Sequence, residues 1–278
     1  MTHLAPKIFL VDNGSLRPQA TFILRELATK LSVVIGHAVE PVSLLHSHKI
    51  PAEKTGGKPA TIVRRRLREC AAAGDRHFII LPLFLGPSLA IKDYLPELVE
   101  EARQIASDIQ VQIAPPLAGL DVDAPDPRLA QILADHVRAF VESENLAKPT
   151  VALVDHGTPI RSVNQVRNAV AKQLADQLAE ETAEVFACSM ERREGEDYAF
   201  NDPLLENLSG APSGGQNLVV AMFFLLPGRH AGEGGDVAEI CEGLIERGAY
   251  DSIGITPLLG EHPVLVDILA DRFAECSA

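Results

Sequence analysis

Apolar and polar positions run along this chain in alternating blocks, and the series runs twice. In the first half, residues 7–11 form an apolar strand pattern. Ala20, Ile23, Leu24, Leu27 and Leu31 then stripe one face of a helix. A weaker strand follows at 39–44, then a polar loop at 46–59 and a helix carrying Arg64, Arg65, Arg66 and Arg68. The pattern continues with a strand at 77–83, a helix at 92–106, a strand at 109–113 and a closing helix at 127–141. The second half predicts strands near 151–154, 183–188, 217–226 and 252–256. Its predicted helices lie near 162–180, 203–209, 236–248 and 262–275. Asp236 and Glu239 have the spacing of a capping box at the start of the third.

The two halves correspond residue by residue. Phe9-Leu10-Val11-Asp12-Asn13-Gly14-Ser15 answers Ala152-Leu153-Val154-Asp155-His156-Gly157-Thr158 at an offset of 156 − 13 = 143. Pro82-Leu83-Phe84-Leu85 answers Met222-Phe223-Phe224-Leu225 at 222 − 82 = 140, and Pro116-Leu117 answers Pro257-Leu258 at 257 − 116 = 141. Three landmarks at nearly one offset imply a tandem duplication. The expected domains are 1–146 and 147–278, joined through Ala147-Lys148-Pro149. Short strands alternating with helices predict an α/β fold: two doubly wound domains with parallel sheets and right-handed crossovers, facing each other across a cleft. For each sheet the expected strand order is 2-1-3-4.

Composition narrows the function. The 278 residues are 46% hydrophobic, enough for a substantial core, and no apolar run reaches the roughly 18 to 20 residues of a membrane span. Residues 1–7 are too short and polar for a signal peptide, so the expected compartment is the cytoplasm. The net charge of −13 argues against nucleic-acid and anionic-membrane partners. Cys70, Cys188, Cys241 and Cys276 form no CxxC or zinc-finger spacing and read as buried thiols. The four arginines of the basic helix read as a solvated face, and His37, His46 and His48 as incidental loop histidines.

The candidate chemistry lies at two strand ends. His156 follows the first strand of the second half, and His230 follows the third, ahead of Gly232, Gly234 and Gly235. In a 2-1-3-4 sheet those strands are neighbours, so both imidazoles fall at the crevice outside the carboxyl ends. Two imidazoles can hold a divalent first-row metal or act as bases near neutrality. No HExxH, Walker loop, GxGxxG or Gly-x-Ser-x-Gly elbow accompanies them. No nucleotide is therefore expected.

At these motifs the chain resembles the class II tetrapyrrole chelatases, the cobaltochelatases and ferrochelatases of sirohydrochlorin. Asp155-His156-Gly157-Thr158, the segment from Phe223 to His230, and Thr256-Pro257-Leu258-Leu259-Gly260-Glu261-His262-Pro263 carry the resemblance, which covers nearly the whole chain. It implies insertion of Co2+ or Fe2+, with Ni2+ a further option, into sirohydrochlorin or a related tetrapyrrole, without ATP, in cobalamin or siroheme synthesis. It also implies that His156 and His230 bind the metal and help take the pyrrole protons, with Glu233, Asp236 and Glu239 as candidates for a third ligand. The first half departs from the motif, with Asn13 and Ala90 at the histidine positions.

A polycarboxylate macrocycle needs cationic or hydrogen-bonding partners. The candidates are Arg161, Ser189, Arg192, Arg193 and Arg229, with Tyr198 and Phe200 available for stacking. Two further readings stay open. One is a non-catalytic carrier of a tetrapyrrole or metal. The other is a protoporphyrin ferrochelatase, which an aromatic content of 5% disfavours.

Overall fold

In a computed structural model, which describes residues 5–209 and 217–277, the chain builds two four-stranded parallel sheets. The first contains β1 (Lys7–Asp12), β2 (Val39–Ser43), β3 (His77–Pro82) and β4 (Gln110–Ile113), in the order β2-β1-β3-β4. The second contains β5 (Thr150–Asp155), β6 (Glu184–Ser189), β7 (Asn217–Met222) and β8 (Ser252–Ile255), in the order β6-β5-β7-β8. This is the α/β class and the strand order that the sequence predicts.

Helices cover both faces of each sheet, which is why the central strands are continuous apolar runs. In the first sheet, Phe9 and Val11 pack with Val63 and Leu67 of α2 (Val63–Ala73) and with Leu95 and Leu98 of α3 (Leu95–Arg103). Ile8 and Leu10 are equally buried and alternate to the other face. There α1 (Pro18–Ile35) lies against α7 (Val264–Ser277). Proline at its first residue starts α1, and Gly36, in the left-handed region at φ 69°, ends it. In the second sheet, Ala152 and Val154 pack with Val237, Cys241 and Leu244 of α6 (Asp236–Glu246). In the chain, α4 (Arg128–Ser143) and α5 (Arg161–Leu178) come after α3 and before α6, and they pack on each other.

The compact units are not the tandem halves. One comprises residues 1–120 and 263–278, the other 121–262, so each closing helix lies outside the unit that holds the sheet of its own repeat. The closing helices account for the difference. α4 follows the first sheet in sequence but packs in the second unit, against α5 and β7. Its Phe140 ring fills the space over Gly254, where a Cβ would lie 2.0 Å from the ring. α7 follows the second sheet but packs in the first unit, against α1 and β3. Its buried Arg272 donates to the Pro116 and Leu117 carbonyls at 3.1 and 3.0 Å. A repeat alignment finds the duplication but not which sheet each closing helix caps, because both have the same apolar stripe.

Three element predictions need adjustment. The helix expected at 203–209 is only a 3-10 turn at Leu205–Asn207, and a longer 3-10 turn, Glu196–Asn201, precedes it. The strand expected through 226 ends at Met222. The helix expected at 92–106 opens as a π turn over Ala90–Tyr94. The basic helix is solvated as expected, and its arginines are also paired, Arg64 with Glu101, Arg65 with Glu69 and Arg66 with Glu40.

Candidate metal centre

The turn after β5 fixes His156. Asp155, the last residue of β5, is buried, and its carboxylate accepts the Gly157 N–H at 3.1 Å. Gly157 sits at φ 90°, and a Cβ there would lie 1.8 Å from the Glu191 carbonyl oxygen. Only glycine lets the two strand-end loops pass this closely. The Glu191 N–H in turn donates to the His156 carbonyl at 3.2 Å, tying the loop after β6 to the histidine turn.

His156 and His230 meet. Their ring centroids are 4.6 Å apart, edge to face at 68°. His156 Nδ1 lies 3.0 Å from the Gly157 carbonyl oxygen. A carbonyl only accepts, so Nδ1 carries the hydrogen of the neutral ring and Nε2 presents the lone pair. That Nε2 is 3.4 Å from Glu191 Oε1. His230 Nδ1 is bonded to Asp236 Oδ2 at 2.7 Å, which leaves its Nε2 in the same role. Both imidazoles therefore offer Nε2, each backed at Nδ1 by an acceptor.

Among the described residues, no set of three or more His, Cys, Asp or Glu side chains forms a coordination cluster. The candidate centre is therefore the imidazole pair alone, with the Glu191 carboxylate beside His156. Of the expected third ligands, Asp236 is engaged by His230 and lies 3.7 Å from Arg229 Nε, so it serves as a backing group. Glu233 lines a separate cavity of about 380 Å³ with Met222, Val237, Ile255 and Leu258. Glu239 is exposed on α6.

Residues 7–139 and 150–276 each match the CbiX family model. The chain belongs to the CbiX family. Its solved structural relatives include "SirB from Bacillus subtilis with Fe3+", at 15% identity and TM-score 0.68, covering 99% of this chain and 96% of that one. A cobalt complex of the sirohydrochlorin chelatase SirB from Bacillus subtilis subspecies spizizenii aligns at 14% identity and TM-score 0.67, covering 98% and 95%. A CbiX described as the terminal enzyme for siroheme biosynthesis in denitrifying bacteria aligns at 16% identity and TM-score 0.61, covering 97% and 98%. At these identities the likeness is one of fold. No curated protein matches the chain in sequence.

Within this CbiX-family fold the expected anion-binding residues divide. Arg229 is 84% exposed beside His230. Arg161 lies over the Phe200 ring at 4.6 Å, and Arg193 over the Tyr198 ring at 5.7 Å. The two aromatics are thus platforms for arginines. Arg192 is turned into its own loop, with Nε on Asp202 at 2.9 Å and Nη1 donating to the Gly195 carbonyl at 3.0 Å. Ser189 is a correction: it is fully buried, its hydroxyl donates to Asp155 at 2.6 Å and accepts from Arg167, and it faces no ligand.

Two contributors escape the sequence reading. Glu191 lies inside the segment singled out for its arginines. Arg167 is the largest fully buried side chain, and its one signal is a charge placed within the apolar stripe Val163, Val166, Val170 and Leu174. Three of the cysteines are buried as expected and Cys276 is half-buried; all four are unbridged, and burial pushes the Cys188 and Cys241 thiols up to about 12. No helix among the described residues is long and apolar enough to cross a membrane.

Proposed function

We propose that this protein is a metal chelatase that inserts Co2+ or Fe2+ into sirohydrochlorin or a closely related tetrapyrrole, with the second repeat carrying the chemistry. The observation that supports this most directly is the His156–His230 pair, 4.6 Å between ring centroids, with both Nε2 atoms available. Imidazole and carboxylate donors suit first-row divalent ions. Insertion exchanges one M2+ for the two pyrrole N–H protons. As the metal leaves the imidazoles for the macrocycle, the same Nε2 lone pairs and the Glu191 carboxylate can accept those protons. The donor set includes no thiolate, which favours a metal held loosely enough to be handed on. Arg161, Arg193 and Arg229 form a cationic rim for the substrate carboxylates in a chain whose net charge is −13.

The test follows sirohydrochlorin absorbance after adding protein and Co2+ or Fe2+. Turnover above the spontaneous rate is expected, with His156→Ala and His230→Ala each abolishing it and Asn13→Ala leaving it intact. Equal damage from Asn13→Ala and His156→Ala would sink the assignment. Tight macrocycle binding without turnover would favour the carrier reading instead.

A further inference from the structure

The duplication provides an internal control. It contains the same strand-end turn twice, once with a histidine and once without. α1 and α5 both span 18 residues, beginning at Pro18 and Arg161, so the offset of 143 holds through both helices. At that offset Arg167 corresponds to Leu24 (167 − 143 = 24). In the second repeat the Arg167 guanidinium lies 3.6 Å from Asp155 Oδ1 and donates to the Ser189 hydroxyl, to the Asn201 carbonyl at 3.0 Å and to Asn168 Oδ1 at 3.0 and 2.9 Å. In the first repeat the corresponding carboxylate, Asp12, is equally buried, yet its Oδ1 has no hydrogen-bond partner, and Leu24 offers no donor. The arginine is present where the histidine is present and missing where it is missing.

We propose that Arg167 is the positioning residue of the metal centre, a role that rests on the chelatase reading above. One buried fork joins three segments: the end of β5, the end of β6 and the Glu196–Asn201 turn. Through Asp155 it fixes the Gly157 N–H, and with it the turn that aims His156. Through Asn201 it fixes the next residue of that turn twice over. Asn201 Oδ1 accepts the Thr158 N–H at 3.0 Å, and Asn201 Nδ2 donates to the Thr158 carbonyl at 2.9 Å. The same 3-10 turn carries Tyr198 and Phe200, the platforms under Arg193 and Arg161. Arg167 thereby sets the metal-facing imidazole and the anion rim together, without touching either ligand. Lysine cannot replace it, because one ammonium cannot donate to Ser189, Asn201 and Asn168 in the planar fork seen here.

The experiment measures Co2+ binding to wild type, Arg167→Leu, Arg167→Lys and His156→Ala by the visible ligand-field absorption of the bound ion. That absorption reports coordination geometry. Thermal unfolding of each protein is measured alongside. Removing groups that orient metal ligands typically weakens affinity 10- to 100-fold. Arg167→Leu should show a loss in that range with an altered band shape, and Arg167→Lys a smaller loss. A folded Arg167→Leu with wild-type affinity and spectrum would overturn the proposal, and so would wild-type behaviour in Arg167→Lys should the leucine variant not fold. Wild type that binds no Co2+, or His156→Ala that binds it unchanged, would instead overturn the chelatase reading.

Discussion

Asp12 and Asp155 occupy the same place in the two repeats, yet replacing each with asparagine should shift stability in opposite directions. Asp12 is 6% exposed. Burial raises its carboxyl from 3.8 to about 6, against the weaker pull of the Ser43 hydroxyl and the Gly14 N–H. A raised folded-state value means the native protein holds the proton more tightly than the unfolded chain. The stabilisation is complete below about pH 4 and disappears as pH rises through 6. At 1.36 kcal/mol per pKa unit, the rise from 3.8 to about 6 corresponds to about 3 kcal/mol lost by neutral pH. An amide cannot ionise, so Asp12→Asn should flatten this dependence and stabilise the first unit by about 1–3 kcal/mol at pH 7.5. At Asp155 burial also raises the carboxyl, but Arg167 opposes it first. Asp155→Asn removes the anion facing a buried guanidinium, which should cost roughly 3–5 kcal/mol. Amide hydrogen exchange of the β1–β3 and β5–β7 backbones between pH 4 and 7.5 reads the two sheets separately. Asp12→Asn that keeps the wild-type pH slope, or that destabilises its sheet as much as Asp155→Asn does, would refute the reasoning.

Three more outcomes are expected. Arg161→Ala with Arg193→Ala should weaken macrocycle binding and flatten its salt dependence while leaving Co2+ affinity unchanged; loss of Co2+ affinity in a folded double variant would argue against separate roles. Gly157→Ala should disrupt the His156 turn because its Cβ would meet the Glu191 carbonyl at 1.8 Å, and unchanged Co2+ binding would contradict that. Burial and the neighbouring His262 lower the His136 pKa, with Asp135 and the Pro257 carbonyl opposing. Its contribution to stability is therefore present above the ordinary histidine range and lost as pH falls below it. Denaturant melts of His136→Gln between pH 5 and 8 should show a shallower slope than wild type.

Periodicity and repetition carry most of the fold in the sequence. The strand order follows from treating each half as a small doubly wound sheet, and His156 and His230 meet because strands one and three of that order are neighbours. What periodicity does not encode is which partner a stripe chooses. The stripes of α4 and α7 are satisfied by either sheet, and only contacts such as Phe140 over Gly254 decide the exchange. The arginines show the same limit. Arg192 and Arg193 are adjacent in sequence and alike in charge, yet one is folded into Asp202 and the Gly195 carbonyl while the other lies over Tyr198. Ser189 ends a strand at the ligand-binding edge, a position that suggests access. The ladder, however, extends one bond past it, from the Met190 N–H to the Asp155 carbonyl, and seals it in.

The two strand-end edges differ as sets of residues. The ladder bonds from Leu45 to Asn13 and from Glu191 to His156 are the same bond in the two repeats, which makes Leu45 the counterpart of Glu191. The bonds from Ala118 to Leu85 and from Gly260 to Leu225 fix the next register, and five residues on, Ala90 answers His230 and Leu89 answers Arg229. Asn13, Leu24, Leu45, Leu89 and Ala90 thus stand where the second repeat has His156, Arg167, Glu191, Arg229 and His230. The glycine is retained in both, Gly14 at φ 89° and Gly157 at φ 90°, each with a carbonyl 1.8 Å from where a Cβ would be. The backbone turn is therefore a requirement of the sheet edge itself, needed wherever two strand-end loops cross. The side chains around it differ between the two edges. The buried aspartate is retained in both, and burial raises both carboxyls, with Arg167 opposing the rise only at Asp155. Along the first edge the counterparts of Glu191 and Arg229 are apolar and exposed, Leu45 and Leu89, so that edge offers neither the carboxylate nor the guanidinium of the second.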